Sequence, residues 1–168
     1  KSKSEAFGDN LNIKAKEFEY DKTLNIVNAY NNVIIEDKIE ELLIFTENIT
    51  YLRNKEIIFT QGYTEALVQS KYNFNSKNTK LLRNEKILQS KEKTVVTDDD
   101  DTVYNLDNFE YLIEKKLLKG NNVNIITNFK SDKSDKFVFS SGIFNLQSKK
   151  FSGKDTKVLL HKNIFQKE

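Results

Sequence analysis

Cysteine, proline, methionine and tryptophan are all missing from these 168 residues; histidine occurs once and glycine five times. Without cysteine there is no disulfide framework and no thiolate chemistry. The single histidine, His161, excludes a multi-histidine zinc site and most relay-type nucleophilic catalysis, and is expected at the surface. The glycines are scattered, so there is no glycine-rich phosphate loop. No apolar run approaches the roughly 18 residues of a membrane-spanning helix. With no methionine at its start, the chain reads as a piece of a longer or processed protein, such as one whose signal peptide has been removed. Its 27 Lys and Arg against 25 Asp and Glu interleave to a net charge of +2, a poor match for nucleic acid. The length fits one domain, and 38% hydrophobic with 31% charged residues is soluble but thin for a compact two-sided core.

What is present is a repeat. Phe18 to Ile35 (FEYDKTLNIVNAYNNVII) has a second copy at Phe109 to Ile125 (FEYLIEKKLLKGNNVNI). In both, an aromatic pair two residues apart opens the unit (Phe18/Tyr20, Phe109/Tyr111), an apolar pair follows, and Asn-Asn-Val-x-Ile closes it. Phe18, Tyr20, Leu24 and Ile26 share one parity and Val33 and Ile35 another, the period of a strand with one apolar face. Weaker units open at Ile49/Tyr51, continue through Ile57/Phe59 to Gly62, run from Tyr72 and Phe74 to Val95, and end on Ile143, Phe144, Leu146, Phe151 and Val158. Five units spaced 20 to 40 residues apart predict an all-β meander of about 12–16 short strands. Gly62 and Gly120 fall in matching turns; Asn31 stands in that place in the first unit, as asparagine does where the backbone is left-handed. Glu36 to Leu43 carries a helical spacing at Ile39, Leu42 and Leu43, but its β neighbours favour strand. Residues 1–10 read as a frayed N-terminal segment, 11–165 as the domain, and 166–168 as the start of a linker to a further C-terminal region.

Candidates for chemistry are few. The Asp98–Asp101 run lacks the alternating ligands and glycine of a calcium loop and reads as a solvated hairpin tip. Acid pairs such as Glu40/Glu41 and Asp107/Glu110 do not mark one cleft. Neither a metal nor a cofactor is expected. A long meander with one apolar face and no helix to cover it must close on itself, pair face to face, or leave a groove, and a greasy groove between sheets suits lipid.

The repeated arrangement of aromatic-x-aromatic, apolar pair, small residue and Asn-Val-x-Ile resembles the OstA-like repeats of the lipopolysaccharide transport (Lpt) system, over about Leu11 to Phe165. The run KFVFSSGIFNLQSKKFSGKDTKVLLHKNIF is similar to the end of the periplasmic N-terminal domain of the LptD family in its alphaproteobacterial form. The resemblance implies a V-shaped antiparallel β-jellyroll, a binding module and not an enzyme, which holds lipid A acyl chains and conducts lipopolysaccharide across the periplasm to the outer membrane. The groove-lining positions so implied are Phe18, Tyr20, Ile26, Val33, Ile35, Ile49, Tyr51, Phe59, Phe109, Tyr111, Leu117, Val123, Ile125, Phe144, Leu146 and Val158. An LptA-like periplasmic bridge would dock by strand pairing at Leu11, Ile13, Ala15, Phe18 and Tyr20. Further implied partners are the protein's own outer-membrane barrel and the lipoprotein that plugs it. The cysteine pairs usual in the family are absent from this sequence. The alternatives are a stand-alone LptA- or LptC-like bridge component, a β-solenoid adhesin or carbohydrate-binding module, and, third, an enzyme on the same scaffold.

Overall fold

Left-handed backbone residues divide this chain into rungs. In the computed structural model, which describes residues 3–161, non-glycine residues with positive φ fall into two classes. One class sits at the turns between strands, Glu41, Gln69, Ser70, Asp101 and Asn128 among them; within it Asn25, Glu56, Lys86, Lys116 and Lys149 follow one another at intervals of 30 to 33 residues. Asn31, Asn32, Asn78, Asn122 and Asp155, together with Gly62, form the other class, in mid-rung. There a strand either bulges or breaks, so every rung bends at the same level and the sheet folds along a crease.

The strands are β1 (Lys3–Phe7), β2 (Leu11–Ala15), β3 (Glu17–Asp21), β4 (Ile26–Asp37), β5 (Leu42–Leu52), β6 (Ile57–Val68), β7 (Tyr72–Lys77), β8 (Lys80–Leu82), β9 (Ile87–Ser90), β10 (Thr94–Thr97), β11 (Val103–Leu106), β12 (Asn108–Leu112), β13 (Leu117–Ile126), β14 (Lys136–Asn145), β15 (Lys150–Lys154) and β16 (Lys157–Leu159). They form one 16-stranded sheet in which every pairing is antiparallel. A β-solenoid, whose coils stack strands in parallel, is excluded. The long strands β4, β5, β6, β13 and β14 run through the crease. The short ones pair end to end along them: β7 and β8 share β6, and β15 and β16 share β14.

Two wings result. Wing I holds β1, β2, β7, β10, β11, β16 and the crease-to-tip halves of the long strands that pair with them; wing II holds β3, β8, β9, β12, β15 and the other halves. Their inner faces are ladders of apolar residues in strict register. In wing I, Ile13, Ile35, Ile44, Ala66, Phe74, Val96, Tyr104 and Ile125 are successive partners. In wing II, Val27, Tyr51, Ile58, Leu81, Leu88, Tyr111, Leu118 and Phe144 are. All sixteen are buried.

Glycine is required beside the crease for a packing reason. A Cβ on Gly120 would stand 2.4 Å from Leu106 Cδ2 and 2.6 Å from the Asn108 carbonyl oxygen. A side chain can swing aside but the β12 backbone cannot, so Gly120→Ala is expected to destabilise by about 1–3 kcal/mol in urea unfolding.

The sixteen strands agree with the expected all-β meander. Glu36 to Leu43 is neither helix nor continuous strand: β4 ends at Asp37, a turn follows, and β5 starts at Leu42. Residues 3–7 of the segment read as frayed form β1, which folds back on β2 through a turn at Gly8 (φ 78°). The expected linker at 166–168 and the last residues of the expected domain lie outside the described residues.

Candidate lipid-binding interior

The two wings close on each other through aromatic rings. Phe74 of wing I lies 5.3 Å from Phe109 and 4.9 Å from Tyr111 of wing II, centroid to centroid. Tyr72 meets Tyr111 at 6.4 Å, Phe139 meets Phe144 at 5.4 Å, and Phe7 of β1 meets Tyr51 edge-on at 5.6 Å. Such tilted and edge-on pairs contribute beyond their buried area. Toward the crease the interior turns polar. Thr46, Thr60, Thr64 and Thr79 join hydroxyl to hydroxyl at 2.7–3.2 Å, and Ser76 meets Thr94 at 2.8 Å. These hydroxyls satisfy one another, which makes their burial tolerable.

At the mouth, opposite the crease, the wings are held by ion pairs. Arg83, in the β8–β9 turn of wing II, donates from Nε to Asp37 Oδ2 of wing I at 2.9 Å and also pairs with Glu56. The Asp37 side chain is only 4% exposed; its other oxygen accepts from the backbone N–H groups of Ile39 and Glu40. Lys86 reaches Glu40 at 3.4 Å and Glu114 at 3.2 Å. Lys149, in the β14–β15 turn, contacts Asp98 and lies 3.1 Å from Asp100. Burial opposes the charge on Lys149, but hydrogen bonds and attraction from Asp98 and Asp100 outweigh it and raise the ammonium pKa. Among the described residues no backbone hydrogen bond joins the tips of one wing to the tips of the other. Side chains alone shut the mouth.

Burial and a hydrogen bond to Glu56 push the Tyr51 hydroxyl up to about 12. Tyr111 is fully buried, its pKa is raised by burial and then by Tyr72, and among the described residues its hydroxyl has no hydrogen-bond partner. Replacing Tyr111 by phenylalanine is therefore expected to stabilise the fold by about 1 kcal/mol. Because the unfolded chain releases the tyrosine proton from pH 10 upward while the folded chain retains it, stability present below that pH is lost above it. The Phe variant should lose less on titration above pH 10.

Of the sixteen groove positions expected from sequence, Val33, Ile35, Ile49, Tyr51, Phe109, Tyr111, Val123, Ile125, Phe144 and Leu146 are buried between the wings. Phe18 packs against them from the edge, and Tyr20 and Val158 end the inner ladders half exposed. Three face the other way. Ile26 pairs with Asp21 across a hairpin turn, which puts it on the face opposite Tyr20; continuing one parity through that turn misplaces it. Phe59 pairs with Thr50 and Lys80, and Leu117 with Leu112, because Ile58 and Leu118 take the inner positions. Ile26 and Leu117 instead end an outer row through Leu52, Ile57, Leu82, Ile87 and Leu112.

The expected docking strand also needs correction. Leu11, Ile13 and Ala15 belong to β2, which is flanked by β1 and β4, so their strand has no open edge. Phe18 and Tyr20 belong to β3, which among the described residues pairs only with β4 and is open on its other side.

Asp98–Asp101 does form a hairpin tip, yet Asp98 is buried, capping the turn through Asp100 and Thr102 N–H and pairing with Lys149. Glu110 pairs with Lys119 and Asp107 accepts from Asn122, so neither joins a carboxylate couple. His161 donates its backbone N–H to Asp135. The cross-mouth ion pairs and the threonine cluster were missed from sequence. The clusters' only signal is threonine at inward parity, as in Thr64-x-Ala66-x-Val68.

No family model matches the chain, and no match is found among curated proteins. Among solved structures it is similar to LptH of Pseudomonas aeruginosa, the LptA homologous periplasmic component of the conserved lipopolysaccharide transport device. That likeness has 9% identity and a TM-score of 0.35 over 89% of this chain and 94% of that one. At that score the function rests on this chain's own geometry.

Proposed function

We propose that this chain is a lipid conduit of the Lpt type, which takes the acyl chains of lipopolysaccharide between its wings and passes the lipid along the sheet toward the outer membrane. The observation that carries this is an apolar interior enclosed by one creased sheet whose mouth is held by side chains alone. Parting the wings exposes two continuous apolar ladders, while the crease keeps the hydrogen-bonded sheet intact. Acyl chains then replace the cross-wing aromatic contacts, and the sugars remain outside. Binding and sliding need no bond to be made or broken, so the reading is a binding module and not an enzyme.

Among the described residues, two ends of the sheet are open. At the N-terminal end these are β1 and β3; at the C-terminal end they are β15 and β16. Unpaired edges present N–H and C=O groups to another sheet. The edges of β1 and β3 would receive an LptA-like bridge, with Phe18 and Tyr20 continuing the apolar lining, and the β15/β16 edge would pass lipid onward. Within this route the chain fits the periplasmic N-terminal domain of an LptD-like outer-membrane protein, ahead of its barrel.

A photoreactive residue at Tyr51 or Phe144 should crosslink to lipopolysaccharide, while the outward positions Glu19 and Glu110 should not. Equal labelling at all four positions, or none in a folded sample, would leave the interior as structural core.

A further inference from the structure

Among the described residues, all three cross-mouth cations stand on wing II, and all their cross-mouth partners stand on wing I. Arg83 faces Asp37, Lys86 faces Glu40, and Lys149 faces Asp98 and Asp100. A random scatter of surface ion pairs would mix the two senses. Parting the wings would therefore strand a row of cations on one lip and a row of carboxylates on the other. Opening gives up close, water-shielded ion pairs, since the Asp37 and Asp98 side chains are 4% and 0% exposed and the Arg83 side chain 16% in the closed arrangement. An anion that pairs with the wing II cations lowers that cost.

Resting on the conduit reading, we propose that the wing II lip, Arg83, Lys86 and Lys149, is a headgroup site for the phosphate groups of an acylated glycolipid, and that phosphate opens the mouth by taking the place of the wing I carboxylates. A phosphate dianion offers more charge and more acceptor oxygens than one carboxylate, and an arginine fork donates to it bidentately. The geometry also orients the lipid: tails lie between the ladders, and phosphates lie over wing II. Inorganic phosphate brings the same anion without tails. It can exchange on the lysines but gains nothing from the apolar interior, so it does not hold the wings apart.

The chain has no cysteine of its own, so Ile39→Cys on wing I and Lys115→Cys on wing II can carry two spin labels at chosen sites. Both are exposed and neither is one of the paired charges. Inter-wing distance and affinity are then measured with a diphosphorylated acyl glycolipid, with its dephosphorylated form and with inorganic phosphate. The phosphorylated lipid should widen the distance and bind at least about tenfold tighter than the dephosphorylated one. In Lys149→Gln that advantage should shrink, because the phosphate loses a cation on the lip while the ion pairs to Asp98 and Asp100 that either lipid must break are gone in both cases. Equal affinity and widening with both lipids would overturn the headgroup site and leave the conduit standing. Widening by inorganic phosphate alone would overturn it too, as a general anion response. Binding of neither lipid would remove the conduit reading along with it.

Discussion

Phe74→Ala is expected to lower the unfolding free energy by about 3–5 kcal/mol, the range for removing a buried phenylalanine without collapse of the site. Phe74 is 1% exposed and is the wing I ring that touches both Phe109 and Tyr111 of wing II. Its neighbours along the ladder, Ala66 and Val96, are held by strand register and cannot move in to fill the space. The cavity would lie between the wings and not within one of them. Urea titration followed by tyrosine fluorescence reads the loss as a lower midpoint with an unchanged slope. A cost below about 1 kcal/mol would mean the wings are not packed through this ring.

Arg83→Ala should cost about 3 kcal/mol, for a different reason. The lost contacts matter less than what remains: the almost wholly buried carboxylate of Asp37 is left without a cation among the described residues. Adding Asp37→Asn should restore most of the stability, because the amide oxygen still accepts from the N–H groups of Ile39 and Glu40 while the stranded charge is gone. If the double variant is no more stable than the single one, the pair is not what closes the mouth at that point.

The sequence was most legible where parity is unbroken. Phe109 and Tyr111, or Ile49 and Tyr51, sit on straight strand segments, and alternation names their face. The 91-residue offset between the two copies is the separation of the turn residues Asn25 and Lys116, three steps of the roughly 30-residue repeat that each pair of rungs generates. Asn31 as a left-handed substitute for glycine shows directly, with φ 66° beside 85° at Gly62, but Asn31, Gly62 and Gly120 lie within strands and not in turns, and Gly120 has no positive φ. Parity fails at turns, and Ile26, Phe59 and Leu117 each lie one turn beyond the segment that set their phase. Arg83 and Asp37, 46 residues apart, carry no mark of their pairing, since the crease that brings their turns together is a property of the whole sheet. Edge status was illegible for the same reason. Leu11 to Ala15 was expected at the edge only from the family resemblance, and the fold-back of a polar β1 covers it.

The most direct measurement is to lock the mouth. Glu40→Cys and Lys86→Cys, placed across it in a chain with no other thiol, can be joined by a short bis-maleimide and assayed for lipopolysaccharide binding before and after linkage. Linking Lys86→Cys to Glu114→Cys, which lie on the same wing, is the control. The account predicts that the cross-mouth link abolishes lipid binding and that the same-wing link leaves it intact. Undiminished binding with the mouth locked would contradict it, because lipid would then be held somewhere other than between the wings.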